Sequence, residues 1–190
     1  ATVGTVQFVR AGHFSWSFFW PFALGSIPFA FLGGWLKVED TVYKQIVGAI
    51  LLLSGVRMVL TLKAPEQTLE KPVHPALRAA CGTGIGFLAG LTGTGGGIFL
   101  SPILLLSKWA DVKRTAATSV VFILVNSLAG IAGNVSQVRS LPGGLVYLAI
   151  AAAVGGLIGS ELGSKRLQNT AIKVVLAAVL VIAGVKLLLT

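Results

Sequence analysis

The chain has 190 residues, of which 55% are hydrophobic and only 11% are charged, and its mean hydropathy is +0.88. This composition excludes a water-soluble domain and indicates an integral membrane protein. The net charge of +9 does not indicate nucleic-acid binding, because the basic residues lie almost entirely between hydrophobic runs, where membrane proteins carry their orientation signals.

Hydrophobic runs follow one another along the whole chain. A helix needs about 20 apolar residues to cross a hydrocarbon core about 30 Å thick. Strict alternation of apolar and polar residues is absent, which favours helices over a membrane barrel. We therefore predict an all-α, polytopic membrane protein whose uncharged or nearly uncharged runs are 14–36, 45–62, 79–107, 115–138, 141–160 and 174–190.

An internal repeat is visible when residues 1–61 are aligned with 130–190, without a gap. Duplications of this kind are common in secondary transporters, where the binding site lies at the repeat interface. We interpret 1–62 as an incomplete first half, 63–76 as a connecting loop and 77–190 as the second half. The counterpart of 77–129 is expected in a segment before residue 1 or in another chain. Identical pairs in the alignment include Gly4/Gly133, Arg10/Arg139, Gly34/Gly163, Lys44/Lys173 and Gly55/Gly184.

The stretch 90–102, GLTGTGGGIFLSP, interrupts an otherwise apolar run with glycines. If 79–107 crossed the membrane once, the basic residues would divide almost equally between the two sides. If the chain instead turns at the glycines and returns, most basic residues fall on one side, as the positive-inside rule requires. The repeat then has inverted topology. Non-helical backbone at membrane depth is tolerated only beside protein or a water-filled cavity, so we predict a Gly-rich re-entrant or broken helix that lines such a cavity.

The N–H groups at the start of the second arm would be unpaired donors at the positive end of a helix dipole, which is an anion site. The threonine hydroxyls of the turn would add donors. A stripe of small and polar residues on the next helix offers a second wall, although helix packing explains such a stripe equally well. The predicted substrate-binding residues are Thr92, Gly93, Thr94, Gly95, Gly96, Gly97, Thr118, Ser119 and Asn126.

Two glycine stripes, 82/86/90 and 155/159/163, are spaced for close helix contact and are assigned to packing. His13 and His74 lie in predicted loops without carboxylate or cysteine partners, so we predict no metal site, no cofactor and no enzymatic activity. The acidic residues also lie in predicted loops, except Glu161 near a helix end, where Lys165 can pair with it.

Three segments resemble the TauE/SafE sulfite exporters, also called TSUP or DUF81 permeases: GFLAGLTGTGGG at 86–97 with Pro102, RTAATS at 114–119 and VRAGHFSW at 9–16. The resemblance spans essentially the whole chain. It implies a multi-pass permease of the plasma (inner) membrane that moves sulfite, sulfonates or related small sulfur-containing anions. Members carry the Gly-rich hairpin in both halves, whereas this chain has one only in the second.

These observations together predict a transporter working by alternating access, with the lipid bilayer and a small inorganic or organosulfur anion as its partners. An anion channel and a non-transporting membrane assembly subunit remain as alternatives. Formation of a homo-oligomer is left open.

Overall fold

The computed structural model of the protein describes residues 1–36, 40–62, 72–133 and 145–189. Within these residues the fold is all-helical, which confirms the predicted fold class. The first part of the predicted connecting loop, 63–71, lies outside the described residues. The helices are α1 (Thr2–Arg10), α2 (Trp16–Trp35), α3 (Asp40–Thr61), α4 (Pro75–Thr92), α5 (Gly97–Leu106), α6 (Val112–Gly133), α7 (Leu145–Glu161), a π-helical turn (Leu162–Arg166) and α8 (Asn169–Leu189).

Three of the described helices, α2, α6 and α8, are long and apolar enough to cross a membrane. Local signals set several helix ends. His74 caps α4, because its Nδ1 accepts a hydrogen bond of 3.2 Å from the Ala76 N–H. Asp111 plays the same part for α6, where its Oδ1 accepts from the Arg114 N–H at 2.8 Å. At its other end α4 stops at Gly93, which has a left-handed backbone.

Helices α2 and α4 run in the same direction and touch backbone to backbone. A methyl group on Gly82 would overlap the Phe22 carbonyl oxygen, and one on Gly90 would overlap that of Ala30. The later residue of α4 contacts the later residue of α2, so the two helices are parallel. The first glycine stripe therefore packs helices, as predicted, because only glycine lets two backbones approach so closely.

Helix α6 also runs parallel to α2, whereas α5 runs against α6. Near the start of α6, Arg114 lies over the Phe18 ring, and near its end Gly130 touches Gly34. In contrast, Gly97 at the start of α5 meets Ile123, while Ser101 further along meets Ser119, earlier in α6. Helix α5 is therefore antiparallel to α4, and the chain returns along α5 to the end of the bundle where α4 begins.

The two arms of this hairpin have unequal lengths. Helix α4 has 18 residues, about 27 Å at 1.5 Å per residue, and α5 has 10, about 15 Å. The first arm starts at Pro75 and so begins earlier than the uncharged run at 79, because the N-cap and Pro75 start the helix before Arg78.

Helices α3 and α8 form an antiparallel pair. A Cβ on Gly48 would lie 3.0 Å from Leu188 Cγ, and one on Gly55 would lie 3.1 Å from Leu180 Cβ. The contacts move towards the C-terminus of α3 as they move towards the N-terminus of α8. This order is the opposite of that between α2 and α4.

The antiparallel pair joins equivalent positions of the predicted repeat. A Cβ on Gly55 would lie 3.1 Å from the Val181 nitrogen, and one on its repeat equivalent, Gly184, would lie 2.7 Å from the Leu52 nitrogen. Leu52 and Val181 are themselves equivalent in the 1–61 and 130–190 alignment. Reciprocal contacts of this kind arise across a two-fold axis, and they support the inverted repeat, which stays a prediction.

Helix boundaries and a second contact pair fit the same alignment. Trp16 and Asp40, which begin α2 and α3, align with Leu145 and Asn169, which begin α7 and α8. Gly133 packs on Phe31. In the alignment Gly4 is the equivalent of Gly133 and Ser160 that of Phe31, and a Cβ added to Gly4 would lie 3.5 Å from Ser160 Cβ.

The core lies where α5 meets the longer helices. Leu100 and Leu104 of α5 are fully buried with Phe22, Phe122 and Leu180 from α2, α6 and α8. The second glycine stripe behaves differently from the first. Among the described residues nothing lies within 4 Å of a Cβ added at Gly155 or Gly159. The packing role predicted for these two glycines therefore stays a prediction, because spacing alone supplies no partner helix.

Candidate functional site at the turn between α4 and α5

The turn that joins α4 to α5 depends on left-handed backbone. Gly93, Gly95 and Gly96 have φ of 68, 71 and 76°. An L-residue with a Cβ pays about 1–2 kcal/mol in this region, so the sequence GTGG sets this turn. Gly96 then caps α5, which begins at Gly97.

The two threonines of the turn bond to each other and to α4. The Thr92 hydroxyl donates to the Leu88 carbonyl at 2.8 Å, and its oxygen lies 2.8 Å from the Thr94 hydroxyl. The Thr94 N–H also points at Thr92 Oγ1, at 3.4 Å. Thr94 and Gly93 are exposed and Thr92 is half-buried. The Thr92 hydroxyl therefore satisfies a carbonyl at the end of α4, and the Thr94 hydroxyl bonds to Thr92.

The three consecutive glycines, in contrast, are buried against α6. A Cβ on Gly95 would lie 2.8 Å from Ser127 Oγ, and one on Gly96 would lie 2.8 Å from Phe122 Cε1. Gly97 touches the Ile123 side chain. Because the first-turn N–H groups of a helix have no acceptor within it, the start of α5 presents donors and a positive dipole end inside the protein.

Hydroxyl groups of α5 and α6 meet one turn below the start of α5. Ser101 Oγ lies 2.9 Å from both the Gly97 carbonyl oxygen and Ser119 Oγ. One hydroxyl has a single hydrogen, so Ser101 donates to only one of these two acceptors at a time. One turn earlier in α6, Thr115 is 1% exposed, and its Oγ1 has no hydrogen-bond partner among the described residues.

These groups line a cavity of about 440 Å³ between α5 and α6 on one side and α7 and α8 on the other. Its polar wall consists of Gly97, Ser101, Thr115 and Ser119. The remaining described lining is mainly apolar, as at Leu176 and Val179, and carries no charged side chain. We call this space the α5 cavity.

Of the sequence-predicted site residues, Gly97 and Ser119 line the α5 cavity, whereas 92–96, Thr118 and Asn126 are not among its lining residues. Thr118 donates to the Arg114 carbonyl at 2.7 Å. Asn126 donates to the Phe122 carbonyl at 2.9 Å. The Asn126 Oδ1 has no hydrogen-bond partner among the residues described, and the side chain is 2% exposed.

Sequence reasoning missed two residues of the polar wall. Ser101 is the only hydroxyl within α5, and an isolated hydroxyl in an apolar arm is the signal that could have marked it. Thr115 lies one turn before Ser119 on α6 but is not among the predicted site residues. Which face of α6 borders the cavity depends on how α5 packs, and local spacing does not reveal that.

No acidic side chain is among the described residues that line the α5 cavity. Asp111 and Glu161 are exposed, and neither lines the cavity. The Lys165 side chain, the predicted partner of Glu161, lies outside the described residues. The cavity can thus offer hydroxyl groups, backbone amides and a helix dipole to a ligand, but the described lining offers no carboxylate.

Comparison with known proteins decides the family. The family model for the sulfite exporter TauE/SafE matches residues 1–187. This chain belongs to the TauE/SafE family. The match confirms the resemblance seen at 86–97 and 114–119, and a member of the TauE/SafE family is a membrane transporter.

Curated relatives support the same class. A "probable membrane transporter protein" of Sinorhizobium fredii is 38% identical over 191 residues, which cover 99% of this chain and 77% of that protein. Proteins with the same description from Methanocaldococcus jannaschii and Bacillus subtilis are 28% and 25% identical, covering 86% and 88% of this chain and 65% and 68% of their own lengths. No solved structure matches the chain. The descriptions of the family and of these relatives name transporters and no enzyme.

Proposed function

We propose that this protein carries small sulfur-containing anions, such as sulfite or sulfonates, across the plasma (inner) membrane, which it crosses several times. The observation that carries the proposal is the α5 cavity, into which the first turn of α5 projects beside Ser101, Thr115 and Ser119. The name of the family, sulfite exporter, supplies the class of substrate.

An oxyanion fits this wall for physical reasons. The helix dipole places positive charge at the start of α5, and first-turn amides and serine hydroxyls can donate hydrogen bonds to oxygen atoms. A wall without fixed cations binds the anion less tightly than an arginine site would. Moderate affinity suits a carrier, because the anion must leave on the other side.

Alternating access is supported by the relation between the repeats. In inverted-repeat transporters one half rocks against the other. The described lining of the α5 cavity belongs to 77–190 except for Phe8 of α1, so the support for this mechanism comes from contacts between helices and not from the position of the cavity. Helix α3 belongs to the first half and α8 to the second, and they meet in the reciprocal contacts of Gly55 with Val181 and of Gly184 with Leu52. This pair is therefore placed to act as the axis of the rocking motion. We propose that the halves 1–62 and 77–190 exchange conformations about this pair, with the hairpin of α4 and α5 entering and leaving on the same side of the membrane.

Uptake into proteoliposomes tests the proposal. Purified protein is reconstituted and initial rates are measured for sulfite, sulfate, thiosulfate and small sulfonates. The expected result is saturable uptake that Ser119→Ala weakens, with Ser160→Ala, on exposed α7, as the matched control. Flux that rises linearly without saturation would indicate an anion channel instead, and no flux for any of these anions would indicate a non-transporting subunit.

A further inference from the structure

Two arginines lie on one aromatic ring where α2, α4 and α6 begin. The Cζ atom of Arg114 is 4.4 Å from the centroid of the Phe18 ring, and that of Arg78 is 5.4 Å from it. Phe18 is buried. Contacts with the ring hold both guanidinium groups in place, although 60 and 96 residues of sequence separate them from Phe18.

Arg78 also donates hydrogen bonds to carbonyl groups in the first turn of α2. In a regular helix the Ser17 carbonyl would accept a hydrogen bond from residue 21, but Pro21 has no N–H. Arg78 Nη1 donates to this carbonyl at 3.2 Å and to the Phe18 carbonyl at 3.1 Å. These bonds fix the orientation of the guanidinium plane.

The opposite edge of the Arg78 guanidinium retains donors. Its Nε is buried and has no hydrogen-bond partner among the described residues. Nε and Nη2 form a fork that matches two oxygens of one oxyanion. A buried donor without an acceptor needs an explanation, and a ligand oxygen supplies one.

The electrostatic surroundings favour negative charge at this place. Three helix N-termini meet here, and the first turns of α2, α4 and α6 contain no acidic residue. Lys113 lies in the first turn of α6. Asp111 is the carboxylate at this end of α6, where it caps the helix.

We propose that Phe18, Arg78 and Arg114 form a binding site for a tetrahedral oxyanion. The site is separate from the α5 cavity, since none of the three residues lines that cavity, and it does not depend on the proposed transport function. Two sources share the ligand chemistry: a free inorganic oxyanion, and the phosphate of a phospholipid headgroup at the membrane surface.

The first arm of the test uses inorganic sulfate. Thermal unfolding of the purified protein in neutral detergent is followed as sulfate replaces chloride at constant ionic strength. Arg78→Lys keeps the charge and a donor for the α2 carbonyls but removes the fork. We expect saturable stabilisation of the wild type and an apparent affinity weakened by about tenfold or more in Arg78→Lys. The control Arg10→Met, which removes an exposed arginine of α1, should behave as the wild type.

The second arm uses phosphatidylglycerol and native mass spectrometry. If a headgroup is the occupant, the wild type and Arg10→Met retain one bound phosphatidylglycerol that Arg78→Lys loses. Should Arg78→Lys not fold, Arg114→Lys replaces it in both arms, with the same expected losses. Equal binding of sulfate and of phosphatidylglycerol by the wild type and the lysine variant, or binding of neither probe by the wild type, overturns the proposal.

Discussion

Gly96 lies against the ring of Phe122 with a backbone φ of 76°, so that a Cβ on Gly96 would come within 2.8 Å of Phe122 Cε1. Two independent constraints thus fall on one residue. The left-handed backbone disfavours any side chain, and the fully buried Phe122 ring leaves no room for one. The position of α5 relative to α6, and with it the polar wall of the α5 cavity, depends on this contact.

Gly96→Ala should destabilise the protein. The left-handed backbone costs about 1–2 kcal/mol for a residue with a Cβ, and the overlap with Phe122 adds to this cost. Gly84→Ala is the matched control, because Gly84 is exposed in α4 with nothing described within 4 Å of an added Cβ. Alanine there should be neutral or stabilising by up to about 1 kcal/mol. Thermal unfolding in detergent measures both, and equal midpoints for the two variants would contradict the prediction.

Thr115→Val should raise stability and lower transport. Valine has nearly the shape of threonine and removes a buried hydroxyl that has no hydrogen-bond partner among the described residues, so unfolding should cost about 1–3 kcal/mol more. If Thr115 binds the anion, the apparent KM for sulfite should rise. Thr118→Val removes a hydroxyl that donates to Arg114 at 2.7 Å and should instead lose about 0.5–1.5 kcal/mol. A more stable Thr115→Val with unchanged KM would remove Thr115 from the site.

The antiparallel pairing of α3 and α8 can be tested with disulfides. Cys81, the only cysteine, is first replaced by alanine. Gly55→Cys with Leu180→Cys should then cross-link on mild oxidation, because the two Cβ positions lie 3.1 Å apart, close to the distance in a disulfide. Gly48→Cys with Val174→Cys should not, since Gly48 lies beside Leu188 at the other end of α8. The reverse outcome on a gel would mean that the helices are parallel.

Cysteine labelling in intact cells tests the hairpin. Ala76 begins the first arm and Lys108 follows the second, and both are exposed. Single cysteines at these positions should react with an impermeant reagent from the same, cytoplasmic side. Ala132, exposed near the end of α6, should react from the other side. Labelling of positions 76 and 108 from opposite sides would show that 79–107 crosses the membrane once.

Transport of a dianion should be electrogenic. Asp111 and Glu161 are exposed and do not line the α5 cavity, although Val112, Gly159 and Gly163 beside them do, so the described lining offers no carboxylate to carry a coupled proton. The membrane potential alone supplies about 2.3 kcal/mol per charge per 100 mV. Flux should therefore follow an imposed potential, and Glu161→Gln should leave it unchanged. Electroneutral flux that follows a pH gradient and disappears in Glu161→Gln would contradict this.

The sequence by itself determined the class of fold, the break at the glycines and the family. Runs of apolar residues are local, and a membrane requires them to be helical. The requirement for positive φ at Gly93, Gly95 and Gly96 is also local, so GTGGG predicts a broken helix without knowledge of the neighbours. Local patterns also marked Gly97 as the start of a helix and Ser119 by helical spacing; both line the α5 cavity, and their role in binding stays a prediction.

Only the tertiary structure decided which side chains meet. The glycine stripes of α4 and α7 have the same spacing in the sequence. Gly86 nevertheless touches Ser26, whereas no described atom lies within 4 Å of a Cβ added to Gly155. Arg78 and Arg114 meet on Phe18 because three parallel helices begin at one end of the bundle. Such contacts arise from packing between distant segments, and the direction and rotation of each helix, which set them, leave no mark in the local pattern of residues.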